Sequence, residues 1–391
     1  ADADDAEISG SYAARLENWA PQIGFLEARD QHRITMAGGS TCRQAFPFEF
    51  SGLSQSIRVM ATTLAVGSTS IARTYAGRAD IGYISGQAII VGKGGAAAAW
   101  NGSAWSSPAF TVTTGKPLTE FDRIVVHQDR VFLWDSAGEQ DLYYGDIGAV
   151  TGALVRFPLG RLGNITGTIV TAESMTVDAG HGMNDTLAIV MSTGQVIIYE
   201  GLDPGDPDDW RQTARVRTAP PAGAQGLMGV GGDIWMVTGA GVVSIADALR
   251  KGMTSQIADF SKPVARLIGD AVKAGGTWQA IMDAGGRYAI LNHVLSGVAR
   301  QFIFDFETKA WWTATHPAAW FYVLGRETRF LLHNGDEAVI DPAEESAAIT
   351  MVWHSPWMRL AGASTVLSIA PAILARGNLT VKLTVLSDHE D

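Results

Sequence analysis

The chain has 391 residues, of which 47% are hydrophobic and only 18% charged, and it carries a formal net charge of −11. So large an apolar share excludes a disordered chain. The excess of 40 acidic over 29 basic residues excludes a tight, sequence-reading grip on nucleic acid, which needs a concentrated basic face, but it is compatible with DNA sliding past an acidic surface.

Cys42 is the only cysteine, so an intrachain disulfide and a cysteine-based metal site are both excluded. The opening Ala1–Glu7 is acidic and lacks the basic and apolar regions of a signal peptide. Charges, glycines or turns interrupt every apolar run before it reaches membrane-spanning length, which predicts a soluble chain. The 44 glycines are scattered without a period, as suits many tight turns between short strands.

Residues 1–55 hold few hairpin signals and are predicted to form an N-terminal arm or platform, in which Trp19-Ala20-Pro21 reads as an aromatic anchor followed by a change of chain direction. From residue 56 to 345 one pattern returns: a short β-branched or aromatic run, a Gly/Asp/Asn turn, and a second run. Ile124–Val126 with Val131–Trp134, Leu187–Met191 with Gln195–Tyr199, Asp233–Val237 with Gly241–Ile245, and Trp278–Met282 with Arg287–Leu291 are the clearest pairs. Each element is too short for a stable helix and suits a pleated surface, and the short turns favour antiparallel hairpins. The step between the later pairs is about 45 residues, the size of a four-stranded propeller blade. The longer interval from 124 to 187 predicts an insertion. A sandwich is the alternative, but it does not require this spacing.

Residues 244–251 and 262–273 have helical spacing and read as short helices between blades. Residues 346–391 hold the strand-like segments Ile349–Trp353, Thr365–Ala370 and Leu379–Val385, which either close the ring or form a platform outside it. The predicted fold is therefore all-β: a β-propeller of short antiparallel strands, a few short helices, and an extra-propeller platform from the terminal segments.

No catalytic machinery is legible. The eight histidines are dispersed without the spacing of a helical zinc site, and there is no Gly-x-Ser-x-Gly elbow. Gly115-Lys116 lacks the upstream glycine of a phosphate loop, and Gly92-Lys93-Gly94-Gly95 is a turn cluster rather than a dinucleotide fingerprint. Asp203, Asp206, Asp208 and Asp209 crowd one loop, where oxygens at such density hold calcium in some proteins. Their spacing fits no EF-hand, and a Pro-stiffened surface turn is the better reading. Asp178 and Asp185 flank His181, and they read as carboxylates capping their own turn. The 12 tryptophans read as filler between blades, with glycan binding by exposed rings as the alternative. No cofactor and no metal are predicted.

Several segments, taken in order, resemble the β-propeller tail hub or nozzle proteins of short-tailed bacteriophages and related prophages. They are Arg15-Leu16-Glu17-Asn18-Trp19-Ala20-Pro21 followed by Gly24 and Arg29; Met175–Pro204 with Asp178, Asp185 and then Trp210; Asp233–Leu249; Phe302–Asp305 with Thr308–Trp311; and Gly377–Val385. Residues 86–120 match poorly. The resemblance implies a non-enzymatic virion protein made in the host cytoplasm, with six copies around the tail axis walling the path by which DNA leaves. It also implies contacts with neighbouring tail or adaptor proteins and no membrane insertion. Asn18, Trp19, Pro21, Arg29, Asp178, Asp185, Trp210 and Trp311 become structural or interface candidates on that resemblance. The alternatives are a glycan-binding propeller of lectin or adhesin type and, behind it, a propeller glycosidase, which needs two facing carboxylates.

Overall fold

The computed structural model describes residues 15–22, 25–28, 31–37, 42–138, 140–178, 183–251, 259–341 and 351–354. The chain divides into residues 1–356 and 357–391, and everything described belongs to the first unit. That unit is a seven-bladed β-propeller.

The blades span residues 44–72, 80–106, 123–158, 169–217, 227–244, 277–314 and 318–341. Their first strands are Gln44–Phe50, Asp80–Ile84, Arg123–His127, Ile169–Asp178, Leu227–Val230, Thr277–Met282 and Ala318–Leu324. These strands adjoin one another around the axis. The second strands of blades 2 to 5 carry long apolar runs because neighbouring blades cover both of their faces. Arg130–Trp134, for example, is buried at every position.

Large rings fill the wedges between blades. Trp100, Trp134, Trp210, Trp235, Trp278, Trp311, Trp312 and Trp320 are all buried, each worth about 2–3 kcal/mol in apolar burial. Trp210 stacks between Tyr199, at 5.3 Å, and Phe132, at 5.8 Å. Trp311 packs in the core of blades 5 and 6, and its indole N–H donates to the Phe260 carbonyl at 2.6 Å.

The interval from 124 to 187 needs no insertion. The pair at 124 is the first and second strand of its blade, whereas the pair at 187 is the second and third. Every strand pair of a blade carries the same kind of pattern, so periodicity alone mixes these phases. The Ala/Gly/Ser-rich stretch near 86–106 forms the outer strands of blade 2. The two predicted helices are present, at Ile245–Lys251 and Ala265–Lys273. They follow blade 5, which has three strands among the described residues.

A hydrogen bond or a pair of them spans every blade junction near the axis. Gln44 clasps Ala79, accepting from its N–H at 2.7 Å and donating to its C=O at 3.2 Å. The Asp80 carboxylate accepts from the Ile124 N–H at 3.1 Å. His127 Nδ1 meets Ser174 Oγ at 2.9 Å. Thr176 N–H donates to Gly232 at 3.1 Å, and Ala280 N–H donates to Gln225 at 2.7 Å. Gln279 repeats the amide clasp on Phe321, at 2.6 and 2.8 Å. Trp320 Nε1 donates to Ala45 at 2.8 Å.

The N-terminal segment closes the ring. Gln31–Met36 pairs antiparallel with Glu337–Asp341 as the outer strand of the last blade, and Gln44–Phe50 begins blade 1. Residues that read as an arm for lack of hairpin signals are thus propeller strands, and the propeller takes in chain on the N-terminal side of residue 56. Further upstream, Arg15–Glu17 lies parallel to Trp311–Ala314 on the edge of blade 6 and pairs antiparallel with Val352–His354. These two terminal strands extend blade 6 outward. The segments Thr365–Ala370 and Leu379–Val385 lie outside the described residues.

Replacing Gln279 by Leu keeps the volume but leaves a buried N–H and C=O of Phe321 without partners. The expected cost is about 2–4 kcal/mol, read as a lower midpoint of urea unfolding. A change below about 0.5 kcal/mol would mean that the clasp is incidental.

Candidate functional site at the mouth of the axial channel

The first strands begin at one end of the axis, and the chain places charge there. Arg78 lies in the connection that leads from blade 1 into blade 2. Its Nη2 donates to Thr277 Oγ1 at 3.0 Å, at the start of blade 6, and its guanidinium lies 5.0 Å above the ring of Trp320, in blade 7. A side chain entering from that connection reaches blade 6 only by crossing the channel mouth.

Asp80 and Arg123 open the first strands of blades 2 and 3. The Asp80 carboxylate accepts from Ile81 N–H and Ile124 N–H, both at 3.1 Å. Burial raises its pKa, against the pull of Arg123. Glu173, on the first strand of blade 4, is pushed up to about 7 by burial, and the charge of Asp80 adds to the shift. Arg78 is brought down to about 10 by burial and by the like charge of Arg123. Arg123 donates from Nη1 to the Asp122 carbonyl at 3.2 Å, and its buried Nε has no partner. Two half-buried carboxyls and two half-buried guanidiniums from separate parts of the ring thus act on one another's charge.

Farther along the axis, His127 is buried. Burial pushes its imidazole down to about 4, against the pull of Asp185, so the ring is neutral at ordinary pH.

The sequence candidates fall elsewhere. Asn18 is buried with φ of 59°, a conformation that asparagine tolerates better than most residues. Its N–H donates to the Thr313 carbonyl at 2.6 Å, and its side chain accepts from Thr315 N–H at 3.0 Å and donates to Thr315 Oγ1 at 3.1 Å. Asn18 is therefore the stitch that holds the N-terminal strand on blade 6. Trp19 and Pro21 sit in a two-stranded hairpin, opposite Ala28 and Leu26. Arg29 lies outside the described residues. Asp178 pairs through its backbone with Met183. Asp185 is exposed and accepts from Thr176 Oγ1 at 2.8 Å. Trp210 and Trp311 are core, as described above. Among these, Asn18, Asp185, Trp210 and Trp311 have their contacts away from the mouth cluster.

The acidic loop is tied into a turn by its own amides. Asp209 accepts from Leu202 and Asp203 N–H at 2.6 and 2.7 Å, which holds its carboxyl below the usual range. Asp203 accepts from Gly205 N–H, and Asp206 accepts from Asp208 N–H. No group of three His, Cys, Asp or Glu among the described residues is placed to hold a metal ion. Lys116 of the Gly-Lys pair makes ion pairs with Asp135 and Glu120. Cys42 is buried, and burial pushes its thiol up to about 11.

Arg78, Asp80, Arg123 and Glu173 drew no notice in the sequence, since they form no motif. The available signal was a charged residue at the opening of a blade's first strand, as Asp80 and Arg123 are; Glu173 lies mid-strand and gave none.

No family model matches the sequence, and no curated protein matches it. The structure is similar to that of YCF48 bound to D1 peptide, with 12% identity and a TM-score of 0.47 over 80% of this chain and 95% of that one. It is similar to the WD40 β-propeller domain of Doa1, with 10% identity and a TM-score of 0.46 over 81% and 98%. The β-propeller domain of Myceliophteria thermophila Cps50 (Swd1) gives 10% identity and a TM-score of 0.49 over 79% and 99%. These likenesses say nothing of activity or partners.

Glu173 binds a proton more tightly folded than unfolded, so it lowers stability as pH rises from its ordinary value of 4.5 to about 7. The full cost is present above that window. Glu173→Gln is therefore expected to stabilise the chain at pH 8, by on the order of 1–3 kcal/mol, and to change little at pH 4.5. Chemical denaturation at the two pH values checks this, and an equal effect at both contradicts it.

Proposed function

We propose that the chain is a non-enzymatic building block of a bacteriophage tail, a nozzle or hub subunit whose copies stand around the path of the ejected DNA. The observation that carries this reading is where the tail-like segments fall. The Arg15–Pro21 element supplies the strand and the Asn18 stitch, and the Phe302–Asp305 and Thr308–Trp311 elements build the blade edge that receives them. Segments far apart in the sequence that resemble one family thus meet in one seam.

The seam also suits an assembly role, since terminal strands laid on a blade edge are placed to reach neighbours. Arg78 crosses the mouth of the propeller's own channel, so on this reading the conduit is the space enclosed by several copies, with propeller faces as its wall. A net charge of −11 suits a wall past which phosphates slide. The glycan-binding alternative rested on exposed tryptophans, and the eight named above are buried.

The test is assembly state. Negative-stain microscopy and light scattering of the full chain, alone or with its adaptor proteins, are expected to give rings of about six copies, as the family resemblance implies. A stable monomer that binds a glycan array, or one that cleaves glycans, would overturn the reading.

A further inference from the structure

We propose that Arg78 and Arg123 hold an oxyanion, a phosphate or carboxylate group, in the mouth of the axial channel. The inference stands apart from the tail reading, because it rests on the donors of this mouth alone.

Each guanidinium carries five N–H donors in a fixed fork that matches the paired oxygens of such anions. Arg78 makes one hydrogen bond, to Thr277 Oγ1, and Arg123 makes one, to the Asp122 carbonyl. The buried Nε of Arg123 has no partner. Among the described residues neither guanidinium makes an ion pair with a carboxylate, although Arg287, Arg329 and Arg156 all do. Two like charges that are partly withdrawn from water repel, and that arrangement is stabilised when an anion lies beside both.

The carboxyls nearby are occupied or weakened as competitors. The two oxygens of Asp80 accept the amides of Ile81 and Ile124, and those of Asp122 accept from the Ser136 N–H and hydroxyl at 2.8 and 2.6 Å. Burial favours the protonated form of Glu173. The Thr277 hydroxyl and the face of Trp320 hold Arg78 in place, and only one N–H of its fork is used in doing so. Arginine held against an aromatic face loses less freedom when it binds.

The full chain is titrated with sodium phosphate and, separately, with sodium acetate, at ionic strength matched by sodium chloride. Melting temperature and calorimetric heat are the readouts. The expected result is a saturable rise in melting temperature with at least one of the two anions, weakened about tenfold or more in Arg78→Gln and in Arg123→Gln. A response to phosphate alone assigns a phosphate group, and an equal response to acetate assigns a carboxylate. No saturable response of the wild-type chain to either anion overturns the proposal, and so does an undiminished response in both variants. Arg78→Lys, which keeps the charge and loses the fork, is expected to fall between the wild type and Arg78→Gln. The wild-type titration decides the matter even if a variant folds poorly.

Discussion

The pairing of Gln31–Met36 with Glu337–Asp341 is the constraint on which the rest of this propeller depends. A ring of sheets has no stable open form, because each blade buries its two faces only against its neighbours. The first and last blades would expose apolar faces if the ends parted. Joining them closes a loop of about 300 residues, but the entropic cost of closure grows only logarithmically with length. A short strand ladder therefore suffices. A side chain reinforces it: the Thr35 hydroxyl lies 3.2 Å from the Glu337 carbonyl and 3.4 Å from its carboxylate, as donor.

Closure also explains the division of labour between apolar and polar groups. Tryptophans and aliphatic side chains supply the attraction between blades, which is non-directional. The hydrogen bonds nearest the axis set how adjacent blades meet, because all but the His127–Ser174 bond satisfy backbone groups that burial would otherwise leave costly. The clasps of Gln44 and Gln279 are chemically identical and sit at different junctions. Where blade 5 has no fourth strand among the described residues, Asp233 takes over. Its carboxylate accepts from Ser244 Oγ at 2.6 Å and from Ala246 N–H at 2.8 Å, turning the chain into the helix Ile245–Lys251.

The strand pairs were legible in the sequence because buried strands write long apolar runs, as in Val131–Trp134 and Leu187–Met191. Their phase was not legible, since first, second and third strands carry similar patterns and only the axis distinguishes them. The closing strand was illegible for a physical reason: Gln-His-Arg-Ile-Thr-Met lies on an outer edge, where polar residues face water, and so it lacks an apolar signature. Asn18 stood out beside Trp19 and proved to be a stitch between distant segments, a role visible only in three dimensions. The mouth cluster was hidden because its members are more than 90 residues apart at the extremes, counting Arg78 and Glu173, and meet only once the ring is closed.

Charge at the mouth is thus a consequence of closure, and so is the seam on blade 6. Native-state hydrogen exchange tests the closure directly, because it reports opening strand by strand. The amides of Gln31–Met36 are predicted to exchange no faster than those of Glu337–Asp341, both through opening of the ring as a whole. Exchange of Gln31–Met36 within seconds, while the central strands of blades 2 to 5 remain protected, would contradict a ring held shut by its N-terminal strand.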